Sequence, residues 1–499
     1  MSDPVLSSTA LGLGLVGMLV SLGLLIWFAY RGWSVLLLAP IAAMLAALVS
    51  GEPVLAHWTQ TFMSSAARFL AQFFPLFLLG ALFGKLMEDS GSVNAIAQFM
   101  TDKLGPRRAI LAVVIGGAVV TYGGVSLFVA FFVLAPMAQA LFRAANIPRR
   151  LMPAAIALGT STFTMSALPG TPAIQNAIPM PFFGTTPFAA PGLGVIASVV
   201  MIGFGLWWLS RQEVAARRAG EGFGDGFGEA PDAPASAQES SLVRERATVS
   251  QSFDPAEIER GHVSERLPPI GIAIAPLVVV VCANFAMNIF VFRHYDASYL
   301  AEARWGGTTL SAVSGVWSVS VALALAVVVL ISINGSRLGT LKESVDAGAN
   351  ASVLPILSVG SLVGYGAVIA ALPAFELVRA WVLGIGGGPL VSLAVAANLL
   401  AALTGSASGG LTIALDALGG TYLQLAAQHH IDPALLHRVA VMSSGTLDSL
   451  PHNGAVVTLL SVCGTTHKQS YRDMLMVGVV GALVALAVVI VLGSFAGSF

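Results

Sequence analysis

Four short segments of this chain combine residues that stop a helix with small polar ones. They are TYGGVS at 121–126, LPGTP at 168–172, TGSASGG at 404–410 and LPHNG at 450–454, each set in otherwise apolar sequence. Backbone that leaves the helix at membrane depth exposes N–H and C=O groups that lipid cannot satisfy, so it is tolerated only where protein, water or ligand does so. The four breaks therefore mark a cavity. Helix N-termini meeting there would aim partial positive charge at its centre, which suits a carboxylate and needs no buried Lys or Arg. The candidate substrate contacts are Tyr122, Gly123, Gly124 and Ser126, then Thr171, Gln175 and Asn176, then Ser406, Ser408, Gly409 and Gly410, then His452 and Asn453. Gln175, Asn176 and Asn453 stand out, because an amide in hydrocarbon needs a partner. Single Gly and Ser residues serve equally well as helix-packing residues, and Tyr122 equally as a buried aromatic.

Ionisable groups in the apolar sequence are few, and a charge at the bilayer centre costs about 3 kcal/mol, so those at depth serve function. Asp448 and His452 flank Leu450-Pro451 and are the proton-coupling candidates, since an imidazole titrates near neutral pH. A backbone cap by Asp448 with a neutral His452 is the competing reading. Asp416 is a weaker candidate, and Lys85 with Glu88 or Asp89 reads as an interfacial pair at helical spacing. The two cysteines, Cys282 and Cys463, write neither a disulfide framework nor a metal site, and no cofactor is expected.

The elements that position these groups follow from composition. Only 10% of the 499 residues are charged, whereas 56% are hydrophobic, which excludes a set of soluble domains. A net charge of −1 excludes a nucleic-acid binder. Apolar runs at 9–29, 33–50, 66–87, 188–210, 268–292, 309–333, 353–372 and 473–495 are each long enough for a spanning helix rather than a barrel strand. MSDP lacks a basic n-region, so 9–29 reads as a retained helix and the chain as a multi-pass membrane protein. Segments 92–104 and 373–385 are too short to span and read as interfacial helices.

The breaks recur in order. Leu168-Pro169 falls on Leu450-Pro451 at an offset of 282, Thr121 and Gly123-Gly124 fall near Thr404 and Gly409-Gly410, and Gly80 and Gly84 face Gly360 and Gly364. The expected fold is an all-α polytopic membrane protein of two inverted repeats. Each has five spanning helices plus a re-entrant hairpin (107–143 and 388–430), with broken helices meeting at the midplane. The divisions are 1–210, a charged linker at 211–267, and 268–499. That linker holds 18 of the 49 formal charges and reads as solvated, disordered and cytoplasmic. Lys and Arg in short loops orient both termini outward and leave Arg293, Arg304, Arg379 and Arg438 outside.

GALFGKLMEDSGSVNAIAQFMTDKLGPRRA at 80–109, ANIPRRLMPAAIALG at 145–159, and the PGTP and SSGTLDSLPHNG breaks resemble the gluconate permease (GntP) family of organic-anion:proton symporters. The resemblance covers most of both halves. It implies the ion transporter superfamily, a homodimer, and a scaffold beside a moving transport domain. The sequence departs from the family's sugar-acid carriers, which have an acidic residue where this chain has TYGGVS and a His-Pro break where it has LPGTP. With Leu168 in the histidine's place a smaller carboxylate, such as a 3-hydroxybutyrate-like acid, is as plausible as gluconate.

The expected function is thus secondary transport of a small organic anion with a proton, by alternating access. Sodium coupling through carbonyls at the breaks is the alternative. An intramembrane enzyme is disfavoured because GxSxG, HExxH and paired GxGD aspartates are absent, and a channel would want a ring of like subunits. Without GxxxxGK[ST], ATP-driven pumping has no support.

Overall fold

The computed structural model describes residues 8–30, 33–125, 127–224, 264, 266–404, 406–451 and 453–499. Ser126, His452 and most of the charged linker (225–263) lie outside the described residues.

The described chain is α-helical throughout. In the N-terminal half α1 (Ser8–Tyr30), α2 (Val35–Val49) and α3 (Val54–Asp89) precede the short α4 (Ser92–Leu104). Then α5 (Ala109–Tyr122) and α6 (Leu127–Ala144) form a hairpin. A broken run follows, α7 (Met152–Thr160), α8 (Phe163–Ser166), α9 (Ile174–Ala177) and α10 (Pro179–Phe183), and α11 (Pro191–Ala219) closes the half. The C-terminal half repeats that order. It runs α12 (Ile270–His294), α13 (Leu310–Asn334), α14 (Leu341–Ala371) and the short α15 (Phe375–Leu383). A second hairpin of α16 (Gly388–Thr404) and α17 (Ala407–Gln428) leads to the broken α18 (Pro433–Thr446) and α19 (Gly454–Val462), and α20 (His467–Ala496) ends the chain.

Seven of these helices, α1, α3, α11, α12, α13, α14 and α20, are long and apolar enough to cross a membrane among the described residues. The run 33–50 yields a helix of only 15 residues, about 22 Å against a hydrocarbon core of about 30 Å. α4 is a separate helix, bent by 99° from the helix after it at Gly105-Pro106. Two boundaries move outward. α14 begins at Leu341 rather than 353, because one face of its first turns, Ser344, Ala347 and Gly348, is buried against α3, where the Ser344 hydroxyl donates to Asp89 at 2.6 Å. α11 runs on to Ala219, nine residues into the charged segment, where Arg217 pairs with Glu213 one turn back at 2.7 Å.

The two halves interleave. α2 packs on α14 as α13 packs on α3, and α6 packs on α19 as α17 packs on α10. The largest buried side chains, among them Phe73, Phe83, Phe131 and Phe142, fill the centre around α3 and α6. Leu13 and Leu19 of α1, Val199 and Trp207 of α11 and Val491 of α20 are exposed instead. An apolar exterior of this kind is what a bilayer solvates at no cost.

Arg438, which the loop count leaves on the outer side, lies within α18 and is the largest fully buried side chain of the described residues. One placement corrects the sequence reading. Lys85, Glu88 and Asp89 do pair at helical spacing, Lys85 Nζ lying 3.1 Å from Asp89, but Lys85 and Asp89 are buried in protein rather than set at an interface.

Candidate functional site

The first hairpin turns at Gly123-Gly124, with Gly124 at φ +97°, a conformation that side chains other than glycine rarely adopt. At the second tip Ser406 caps α17, its hydroxyl accepting the Gly409 N–H at 3.1 Å. The Asp448 carboxylate reaches the same end from the broken α18–α19 run. Its Oδ1 accepts the Ala407 N–H at 2.9 Å and the Asn453 amide at 2.7 Å, while Asn453 caps α19 through the Ala455 N–H. Asp448 therefore ties the second hairpin tip to the second break, through bonds that are charge-assisted when its carboxyl is ionised.

Unwinding leaves carbonyls without helical partners, and the protein supplies donors for them. In the first break the Ala167 carbonyl accepts from Arg438 at 3.1 Å, Pro169 from the Tyr122 hydroxyl at 2.7 Å and Gly170 from Asn284 of α12 at 3.1 Å. In the second, Ser449 accepts from the Tyr471 hydroxyl at 3.2 Å and Pro451 from His467 Nε2 at 2.8 Å. At the offset of 282 read from the sequence, 167 falls on 449 and 169 on 451. The same two carbonyls are satisfied in each break, by different side chains.

Both tips and both breaks line one cavity of about 190 Å³. That is smaller than the ~300–1,000 Å³ typical of pockets for drug-sized molecules. The tips contribute Thr121, Gly124, Ser406 and Ser408, and the breaks Ser161, Ser166, Gln175, Asp448, Ser449 and Asn453. α3 and α14 close it with Leu76, Phe77, Gly80 and Ser352. Asp448 is the one ionisable side chain among the described lining residues. Gln175 Oε1 is buried with no hydrogen-bond partner among the described residues, so the cavity wall offers an unused acceptor.

Of the residues singled out in the sequence, Gly124, Gln175, Ser406, Ser408, Asp448 and Asn453 come together here. Most of the other described ones serve as supports. Tyr122 locks the first tip to Pro169. Gly123 and Gly409 admit Leu277 and Leu362, because a Cβ would lie 2.2 Å and 2.4 Å from those side chains. Gly410 lets the hairpin arms close, a Cβ there falling 2.3 Å from the Ala401 nitrogen. Thr171 is fully buried and gives its carbonyl to Asn176. Asn176 also donates to the Pro187 carbonyl at 3.0 Å, and its Oδ1 faces His437 Nε2 at 3.1 Å. That amide is saturated by protein, and it is not among the residues lining the cavity. Asp416 is exposed on α17, away from the cavity. Ser161, Ser166, Ser352 and Ser449 were not singled out. Their one signal is a hydroxyl within or beside a break, which a Ser packing against a helix shares.

Comparison with known proteins decides the family. The chain is 40% identical over 482 residues to a Bacillus subtilis protein described as the uncharacterised transporter YxjC, covering 95% of this chain and 98% of that one. Residues 12–182 match the GntP family permease profile. The chain belongs to the GntP permease family. A high-affinity gluconate transporter of Escherichia coli is 30% identical over 141 residues, 28% of this chain and 31% of that protein. The solved structure of Neisseria gonorrhoeae MtrF, described as one of a class of antimetabolite efflux pumps, superposes with a TM-score of 0.51 at 14% identity. It covers 86% of this chain and 82% of that one. That likeness shows a shared fold. This GntP-family permease is thus an all-helical, multi-pass protein of the bacterial inner membrane, and its relatives are named as transporters.

Proposed function

We propose that this permease carries a small organic anion across the inner membrane in symport with a proton, by alternating access. The observation that carries this reading is the single cavity shared by both hairpin tips and both breaks, whose one described ionisable side chain, Asp448, holds the second tip. An ionised Asp448 occupies the Ala407 N–H and the Asn453 amide. Once protonated, its carboxyl competes less for those donors, which are then free to take a substrate carboxylate. Anion and proton would load together, because each makes room for the other. The substrate class is a gluconate-like sugar acid or a short hydroxycarboxylate such as 3-hydroxybutyrate. The cavity's size and its serine-lined wall support the smaller acid, and the E. coli relative's name supports the larger.

In this reading the two halves, 1–210 and 268–499, are inverted repeats joined by a cytoplasmic linker, and the chain works as a homodimer. The recurring element order and the paired capping of carbonyls support the repeats. Sodium coupling finds less support, since carbonyls of both breaks that could ligate Na⁺ accept hydrogen bonds from Arg438, Tyr122, Asn284, Tyr471 and His467. The test is uptake of labelled gluconate and 3-hydroxybutyrate into proteoliposomes, with proton and sodium gradients imposed separately. Accumulation with the proton gradient alone is expected, and accumulation requiring sodium would replace this reading.

A further inference from the structure

The described lining of the cavity contains no cation, so helix N-termini alone would face a bound anion there. A fully buried cation stands behind the first break. Arg438, on α18, is 0% exposed, and all three guanidinium nitrogens are engaged. Nε and Nη2 donate to the Ala189 carbonyl, at 3.1 and 2.6 Å, and Nη1 donates to the Ala167 carbonyl at 3.1 Å. Ala167 directly follows Ser166, which lines the cavity. No carboxylate pairs with Arg438 among the described residues. Its neighbour His437 is held at both ring nitrogens. Asn176 spends its amide N–H groups on two carbonyls and so turns its oxygen to His437 Nε2, which donates, while Nδ1 lies 2.6 Å from the Thr185 hydroxyl.

A buried guanidinium without a counter-ion is expensive, and hydrogen bonds to carbonyls offset only part of that cost. Such groups in membrane proteins face a functional partner. The Ala167 carbonyl ends the broken α7–α8 run, where helix dipoles place partial negative charge. Left bare, that end would repel an anion beside it.

We propose that Arg438 is the specificity-determining fixed charge of this transporter. It neutralises the carbonyl end of the first break and leaves the cavity positive enough to select a carboxylate, without touching the substrate. This rests on the anion-transport reading above and adds a charge balance to it. With the cavity empty, Arg438 and an ionised Asp448 offset each other. With Asp448 protonated, one monoanionic substrate restores neutrality, so one proton accompanies each monocarboxylate and transport is electroneutral.

The test measures proteoliposome uptake of labelled gluconate and 3-hydroxybutyrate, and competition by the neutral amides of both acids. It uses the wild type, Arg438→Lys and Arg438→Gln, each checked for monodispersity and thermal stability. In the wild type the amide should compete roughly tenfold or more less well than the acid, the scale of one fixed charge acting through a protein interior. Imposed membrane potential should not change the accumulation. Arg438→Lys should keep the preference for acid over amide, whereas Arg438→Gln should lose it. A wild type that binds amide and acid equally would overturn the proposal even if Arg438→Gln failed to fold. So would a folded Arg438→Gln that keeps the wild-type preference. Wild-type protein that takes up neither acid would instead refute the transport reading, and this assignment with it.

Discussion

Replacing Asp448 with Asn isolates the coupling step. The carboxylate Oδ1 accepts two hydrogen bonds, from the Ala407 N–H at 2.9 Å and the Asn453 amide at 2.7 Å. An asparagine keeps an acceptor of the same shape but removes the charge. Each bond then falls from the charge-assisted range of about 1.5–3 kcal/mol toward about 1 kcal/mol, a combined loss of about 1–4 kcal/mol in anchoring the second hairpin tip. That loosens the tip without unfolding the protein. The larger effect is on coupling, because an amide takes up no proton near neutral pH. Wild-type uptake should rise as the outside is made more acidic. Asp448→Asn should show no accumulation driven by a pH gradient, yet still exchange labelled for unlabelled substrate in counterflow. The assay is a pair of proteoliposome experiments on one preparation. Wild-type accumulation by the variant under a pH gradient would refute the assignment, and loss of counterflow as well would make Asp448 a structural tie only.

Tyr122→Phe removes the one side-chain donor to the Pro169 carbonyl, which should cost about 1–3 kcal/mol and lower the maximal uptake rate more than apparent affinity; thermal stability and initial-rate curves check both. Gly410→Ala forces a Cβ to 2.3 Å from the Ala401 backbone nitrogen, so the hairpin arms must part at about 1–3 kcal/mol or more, seen as a lowered melting temperature and lost uptake. Deleting 225–260 should leave transport measurable. A deletion from 220 also removes Glu221, which binds Arg150 through two hydrogen bonds of 2.8 and 3.1 Å, and should lower thermal stability by about 1 kcal/mol.

Much of the site could be read from the sequence, because a helix break at membrane depth has few innocent explanations. Gly124, Ser406, Asp448 and Asn453 were found as members of breaks, and the structure gathers them around one cavity. What could not be read was the direction each side chain takes. Asn176 and Gln175 are adjacent amides after the same break. One is saturated by backbone carbonyls and His437, and the other faces the cavity with a free acceptor. Glycines were equally ambiguous, since Gly124 shapes a turn while Gly123 beside it admits Leu277. The burial of Arg438 was missed because counting charges in loops treats an arginine near a helix start as solvated. Its carbonyl partners lie 249 and 271 positions away, in the other half of the chain. Local pattern reports where backbone is left unsatisfied, whereas its donors come from tertiary contacts.

The most direct test of the central claim is uptake of labelled 3-hydroxybutyrate and gluconate by the wild-type protein in proteoliposomes, under a pH gradient without sodium. Accumulation of at least one acid above its equilibrium level, abolished by a protonophore, is the predicted result. Accumulation that needs a sodium gradient and ignores the protonophore would contradict it.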